Sequence, residues 1–370
     1  MATSNEILRD ESIAHAIWIS RYSTGVANRM VKILNESDAE LVARLMVAMD
    51  NLSPDSFTVT RLEALLQSVR ETNHQAVEAM RVGLYDELQL LADHEAGYQL
   101  SLFQHAIPES ILDLHPLVGI SPDAVYAAAM AQPFQGRLLK EWASNLEADR
   151  INRISNTVRQ GFLLGDTNDQ IARKVRGHAN RGYQDGALQM SRANAASIAK
   201  TAVGHFASTA RNEFVSTNDD IIKGKQWLST LDTRTTHLCQ VRDRLKYTLE
   251  NKPMGHKIPY LQGPGKIHWC CRSTETYILK SADELGIDVK ELSPSARASM
   301  DGVVPGDTTY QEWFSRQSFD RQKQIVGEKR ARLIRDGGMS PDEFYTDKGE
   351  WLTLEQLRER DERAFESAGL

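Results

Sequence analysis

The sequence predicts a mainly α-helical protein with one small α+β module: long N-terminal helices, a small antiparallel sheet around 224–280 and a helical C-terminal tail. Apolar residues recur at i, i+3, i+4 and i+7 over most of the chain, as in Leu62, Leu65, Leu66 and Val69. Between about 224 and 280 that period gives way to short runs of alternating β-formers, separated by Gly and Pro turns. All three cysteines, Cys239, Cys270 and Cys271, fall inside that stretch. Four segments follow: 1–120 a helical assembly or stalk region, 121–222 helical, 223–280 a Cys/His module and 281–370 the tail.

Taken in order, residues 5–50 read as two helices broken near 35–38, with Leu41, Leu45, Met46 and Met49 on one apolar face. Residues 51–54 are a turn. Thr60 and Glu63 form a capping box, each side chain satisfying an orphan amide of the next helix. Behind it the apolar stripe runs through Val77, Met80, Leu84, Leu88 and Leu91 towards Phe103. Undivided at Gly83 or Gly97, that helix would reach roughly 70 Å at 1.5 Å per residue, which suggests a stalk or an assembly element. Pro122 opens a further helix, placed where its missing amide costs nothing. After a turn at 133–136, the next carries Leu138, Leu139, Trp142, Leu146, Ile151, Ile154 and Val158 and ends at Gly165. Thr167 and Gln170 cap a short helix through Val175. His178 and Arg181 lie beside glycines but follow no strand, so they are not read as a phosphate loop.

Residues 187–214 are Ala-rich and helical, with an apolar stripe of Met190, Ile198, Val203 and Phe206. Strands are expected at 226–230, 245–248 and 273–279, with turns at Lys252-Pro253 and Gly263-Pro264-Gly265, packed as a sheet on that helix. The tail returns to helix at Tyr310, Trp313 and Phe314, and a last helix is capped near Thr353.

The longest apolar runs fall far short of the ~20 residues that span a bilayer, so no membrane partner is expected. The first twelve residues carry acids and no apolar core, unlike a signal peptide. An odd, clustered set of cysteines argues against a disulfide framework and fits a reducing cytoplasm. Net charge is −6, unevenly spread. Residues 1–149 hold 10 Lys and Arg against 21 Asp and Glu, 150–280 hold 21 against 10, and 281–370 hold 13 against 19. A basic middle between acidic ends suits an anionic partner, DNA first, or an interface with the chain's own acidic segments. Lys223, Lys225 and Arg272, with Lys329 and Arg330 in the tail, are the expected DNA-gripping residues.

Within the central stretch, His237-x-Cys239 and His268-x-Cys270-Cys271 are separated by a loop rich in Lys, Gly and Pro. Cys thiolate and His imidazole are the usual ligands of tetrahedral zinc. Three readings stay open: a zinc clamp in which Cys239, His268 and Cys271 converge with Cys270 or His237 as fourth ligand; ordinary buried thiols beside hydrogen-bonded histidines; or a Cys/His nucleophilic site in which Cys239, His268 and Asp232 act together.

The same residues carry a resemblance. Asp232, Arg234, Thr235, Cys239, His268, Cys271 and Arg272 match the pattern of the head-morphogenesis domain of tailed bacteriophages, the family of Mu F-like minor head proteins. Here Cys270 is an extra thiol and Ser273 stands where the last cysteine is common. The helices at 161–177 and 187–214 resemble the segments upstream of that domain, although Ala202 replaces a usual acid. The resemblance implies that 121–222 is the helical part of the domain. It also implies a minor structural protein of the virion head rather than an enzyme, in multiple copies inside the capsid at the portal vertex and in host cytoplasm during assembly. Its partners would be the portal protein, the major capsid protein and packaged double-stranded DNA. The alternatives are a metal- or thiol-dependent, toxin-like enzyme, or a zinc-stabilised DNA-binding module. No Gly-rich phosphate loop, His-Glu-x-x-His or pair of catalytic acids supports the enzyme.

Overall fold

The computed structural model describes residues 3–51, 59–281, 284–285, 296–299, 302–305 and 308–370, without the side chains of 59–62, 64, 68, 296–303 and 305. Helices dominate: α1 (Ser4–Asp50), α2 (Val59–Ala106), α3 (Glu109–Leu112), α4 (Pro122–Ala131), α5 (Leu139–Leu164), α6 (Asn168–Arg176) and α7 (Gln189–Thr217). Strand β1 (Ile222–Leu228) and the single turn α8 (His237–Gln240) lead into β2 (Lys246–Tyr247), β3 (Pro253–Met254) and β4 (Thr274–Leu279). A ladder, β5 (Ala296–Ser299) with β6 (Gly302–Pro305), precedes α9 (Tyr310–Ser315), α10 (Phe319–Val326), α11 (Glu328–Arg335), α12 (Leu354–Arg360) and α13 (Glu362–Ser367). The expected class holds. No helix among the described residues is long and apolar enough to cross a membrane.

Two compact units form, and they do not follow the four expected segments. One gathers Met1–Ile19, Glu95–Ser121 and Ser208–Leu370; the other gathers Ser20–His94 and Pro122–Ala207. The long N-terminal helices therefore contribute to the cores of both units, and the tail belongs with the Cys/His module.

In the Ser20–His94/Pro122–Ala207 unit, Leu41, Leu45, Leu65, Leu66 and Val69 pack with Ile154, Val158, Ile171 and Val175 in one core. The expected break near 35–38 is absent. Asp38 is fully buried and accepts hydrogen bonds from Arg150 Nη2 and Arg192 Nη1, each at 2.6 Å. Its carboxylate is thus spent on two partners rather than on a helix cap. Gly83 does not divide α2 either; a Cβ there would stand 3.2 Å from Ile33 Cδ1, so the glycine admits the neighbouring helix. The helix start falls at Val59, and the Thr60 side chain of the expected capping box lies outside the described residues. Gly165 ends α5 in the left-handed conformation, and Thr167 caps α6, both as expected. Met190 departs from its expected stripe at 52 % exposure, while Ile198, Val203 and Phe206 are buried. His178 Nδ1 and Arg181 Nη1 both pair with Asp185.

In the other unit, the sheet has the order β3-β2-β1-β4, antiparallel throughout. Pro253, expected in a turn, begins the edge strand β3, where proline's missing amide withholds no ladder bond. The β5–β6 ladder is a correction to the expectation of a purely helical tail. Phe103 from α2, Phe214 from α7 and Tyr277 from β4 share one core with Leu8. Tyr310, Trp313 and Phe314 pack with Leu231 in another. Gln240 joins the module to the tail: its amide donates to Thr235 O and Tyr310 Oη, while its carbonyl oxygen accepts from Tyr345 Oη. Asp243 accepts from the Ser229 and Tyr310 amides.

Candidate metal centre

Two loops meet below the end of β1. One runs from Ser229 through α8; the other turns back from 266 into β4. Asp232 clamps them. It accepts two hydrogen bonds from Arg272, at 2.5 and 2.9 Å, one from the Arg234 amide at 3.0 Å and one from the Thr235 hydroxyl at 3.1 Å. The Thr230 hydroxyl adds a bond to Arg272 O. Burial pushes the Asp232 carboxyl up, but the Arg272 guanidinium and the other donors outweigh it and hold it below the usual carboxylate range.

The clamp sets Cys239, on α8, against His268 and Cys271. Cys239 Sγ lies 3.2 Å from His268 Nε2 and 3.8 Å from Cys271 Sγ. The Trp269 carbonyl sits 2.9 Å from His268 Nδ1 and can only accept, so Nδ1 carries a proton and Nε2 is the nitrogen turned to the sulfurs. Both thiols are free of disulfide and buried. The Cys271 sulfur beside it, then burial, push the Cys239 thiol up. Burial opposes ionisation of Cys271, yet the Cys239 thiol and the His268 imidazole bring it well below the ordinary thiol range. Burial lowers the His268 imidazole, but the Cys271 sulfur carries it above its ordinary value overall. To take a metal, the sulfurs bind as thiolates and His268 through a neutral Nε2, so loading the site releases protons.

The donor set fits zinc. Tetrahedral Zn–S bonds of about 2.3 Å place two sulfurs about 3.8 Å apart, the separation already present between Cys239 and Cys271. Cys239, His268 and Cys271 have their donor atoms within 4.8 Å of one another.

Other expected site residues stand elsewhere. His237 is stacked on Trp351 at 3.7 Å between ring centroids, with Nδ1 3.2 Å from Gln240 Oε1, so it faces the tail rather than the cluster. Cys270 is half-buried with φ +55°, and that left-handed turn lets Cys271, not Cys270, face inward. Arg234 is 79 % exposed; its amide donates to Asp232, and its Nε lies 3.9 Å from the same carboxylate, a longer ion pair than that of Arg272. Asp232 is taken by Arg272, which does not form the Cys239–His268–Asp232 arrangement expected of a nucleophilic site.

The expected DNA-gripping residues also separate. Lys225 is 4 % exposed, with Nζ 4.2 Å from the Tyr260 ring centroid, and cannot reach a phosphate from there. Arg272 is committed to Asp232, and Lys223 pairs with Glu284 at 2.5 Å. Arg330 donates to Leu352 O and lies over Trp351. Lys329 is exposed. Arg234, Lys246 and Lys252 present exposed positive charge that residue types alone did not single out. Sequence reading also passed over the roles of Gln240 and Asp243, which no spacing signals. No protein-family model, no curated protein and no solved structure matches this chain.

Proposed function

We propose that this chain is a minor structural protein of a tailed-phage head, acting at the portal vertex, in which the Cys239–His268–Cys271 cluster is a structural zinc staple. One observation carries the reading: the matching residues Asp232, Thr235, Cys239, His268, Cys271 and Arg272 act as one unit, with the Asp232 clamp holding the loops that bear the three ligands. Zinc, when bound, would cross-link those loops. The cluster is carried on the segment that Leu231 and Gln240 join to the tail, so stapling it also steadies those contacts.

The structural role is favoured over the Cys239–His268–Asp232 nucleophilic site because Asp232 serves Arg272, and Cys239 and Cys271 stand at the sulfur separation of a shared tetrahedral ion. The partners of this reading are the portal protein, the major capsid protein and packaged DNA, the last met through exposed cations on phosphates. Purified full-length chain is expected to carry about one zinc and to co-sediment with portal-bearing capsids. Chain that binds no zinc would remove the staple. Chain absent from the capsid fraction would remove the head assignment.

A further inference from the structure

We infer that Cys239 and Cys271 form a redox-active pair, which closes to a reversible disulfide and in doing so gives up the metal. The inference rests on the zinc reading above for the ion it releases, and adds a second, mutually exclusive staple to the same site. The two sulfurs are 3.8 Å apart and neither is in a disulfide. A disulfide needs about 2.05 Å, so each sulfur has to move by roughly 0.9 Å, within reach of side-chain rotation. The backbone on both sides is held meanwhile. Asp232 grips Arg272, next to Cys271, and the Thr230 hydroxyl donates to Arg272 O. On the other loop the Ser229 hydroxyl donates to Cys239 O at 2.7 Å. Closing the bond therefore asks for little movement of the loops.

Cys270 does not compete for either sulfur, because its left-handed backbone turns it away from the buried pair. Exposure gives the order of events. Cys271 is 7 % exposed and Cys239 1 %, so a small peroxide meets Cys271 first. The Cys271 thiolate displaces hydroxide from hydrogen peroxide and becomes a sulfenic acid. That hydroxide takes up the proton Cys271 shed. Cys239 then attacks the sulfenic sulfur, and the expelled hydroxide leaves as water with the Cys239 proton. His268 Nε2, 3.2 Å from Cys239 Sγ, stands to carry that proton. Two thiols and one peroxide thus yield one disulfide and two waters, the sulfurs giving up two electrons. The disulfide leaves neither sulfur as the thiolate that zinc requires, so the ion departs. In a reducing compartment metal holds the two loops; where disulfides persist, the same sulfurs hold them covalently.

The test treats full-length, zinc-loaded chain with hydrogen peroxide. Released zinc is read with a chromophoric chelator, and cross-links by mass mapping of unreduced peptides. About one zinc is expected to leave for each Cys239–Cys271 bond formed, and dithiothreitol with added zinc to restore the site. Oxidised chain should melt at a temperature indifferent to chelator, whereas chelator should lower that of the reduced, zinc-loaded chain. C270G, which suits the left-handed backbone, is expected to form the same bond and release the same zinc. A Cys270–Cys271 link, or sulfinic acid at Cys271 with no cross-link, would overturn the inference and leave the zinc staple standing. So would peroxide-treated chain that keeps its zinc and both thiols. Chain that holds no zinc yet forms the Cys239–Cys271 bond removes the zinc reading and supports the redox pair alone.

Discussion

In the Ser20–His94/Pro122–Ala207 unit, Asp38 meets Arg150 and Arg192 from 112 and 154 residues away. In the other unit, Cys239 meets His268 and Cys271 from 29 and 32 residues away. Both centres bury polar groups, by opposite means. The first is a permanent ionic cluster with two cations on one carboxylate, and Arg150 Nη1 finds no hydrogen-bond partner. Such a cluster has paid its desolvation on folding, so breaking it strands buried charge. The second is a set of soft donors with perturbed protonation, ready to exchange protons for a metal. The comparison teaches that one unit's integrity depends on its own charges, and the other's on solution conditions.

The largest effect should come from the ionic centre. D38A leaves Arg150 and Arg192 buried without their carboxylate and is expected to cost about 3–5 kcal/mol, read as a lower denaturant midpoint. Chelator should not change the size of that loss. If D38A proves nearly neutral, the contrast between the centres collapses. Zinc removal comes next: with free zinc at a hundredfold its Kd, the metal contributes about 2.7 kcal/mol, lost on chelation. Hydrogen exchange should then rise around β1 and β4 and stay unchanged near Asp38; a uniform rise would show that the units are not separately sensitive.

The Asp232 clamp is a smaller term, because the side chain keeps some solvent contact. D232N is expected to cost about 1–3 kcal/mol at neutral pH, as a charge-assisted bond is lost. A depressed carboxyl stabilises above its unfolded pKa of about 3.9, and that contribution fades as pH falls through the lower folded value. Acid titration of D232N should therefore lack the wild type's loss below about pH 4. An identical acid limb in both chains would show that Asp232 does not carry it.

His237 is expected to give a gentler pH dependence. Burial lowers its pKa, with Arg330 adding in the same direction against a Gln240 hydrogen bond. A depressed histidine stabilises fully above its unfolded value of about 6.5 and loses that contribution as pH falls through the folded one. Fluorescence of Trp351, on which it stacks, should change between pH 7 and 5 in wild type and not in H237F. The smallest effect is on DNA. Substituting exposed Arg234, Lys246 or Lys252 by Ala should each lower the salt slope of duplex binding by roughly 0.9, whatever the DNA sequence. K225A should instead lower stability and leave the slope alone. The reverse pattern would return Lys225 to the interface.

Much of the fold was legible because its signals are local. Thr167 and Gln170 cap the helix they precede, Thr353 caps the helix after it, and Gly165 ends one by its left-handed backbone. The sheet was readable from its β-formers, and Pro253 was misread only because an edge strand tolerates what a central one does not. The break placed near 35–38 failed for a different reason. Asp38 lies on the helical face of Leu34, Leu41 and Leu45, and Arg150 on that of Leu146 and Ile154. An ionisable residue on an apolar stripe is a signal for a buried partner rather than for a turn, although the stripe does not say where that partner lies.

By itself the sequence determined the helices, the position of the sheet and the residue types able to hold a metal, since these follow from period, capping chemistry and donor atoms close along the chain. Tertiary structure alone decided which of those donors meet. Cys271 faces inward because a left-handed turn at Cys270 reverses the chain's side, and His237 is drawn off by Trp351 from more than a hundred residues away. It also decided which cations are free to meet an anion: Lys225 points into the core with its strand partner Tyr277, while Arg234, nine residues on, stands in solvent. Residue type sets a side chain's chemistry, but burial and the nearest opposite charge set whether that chemistry is available.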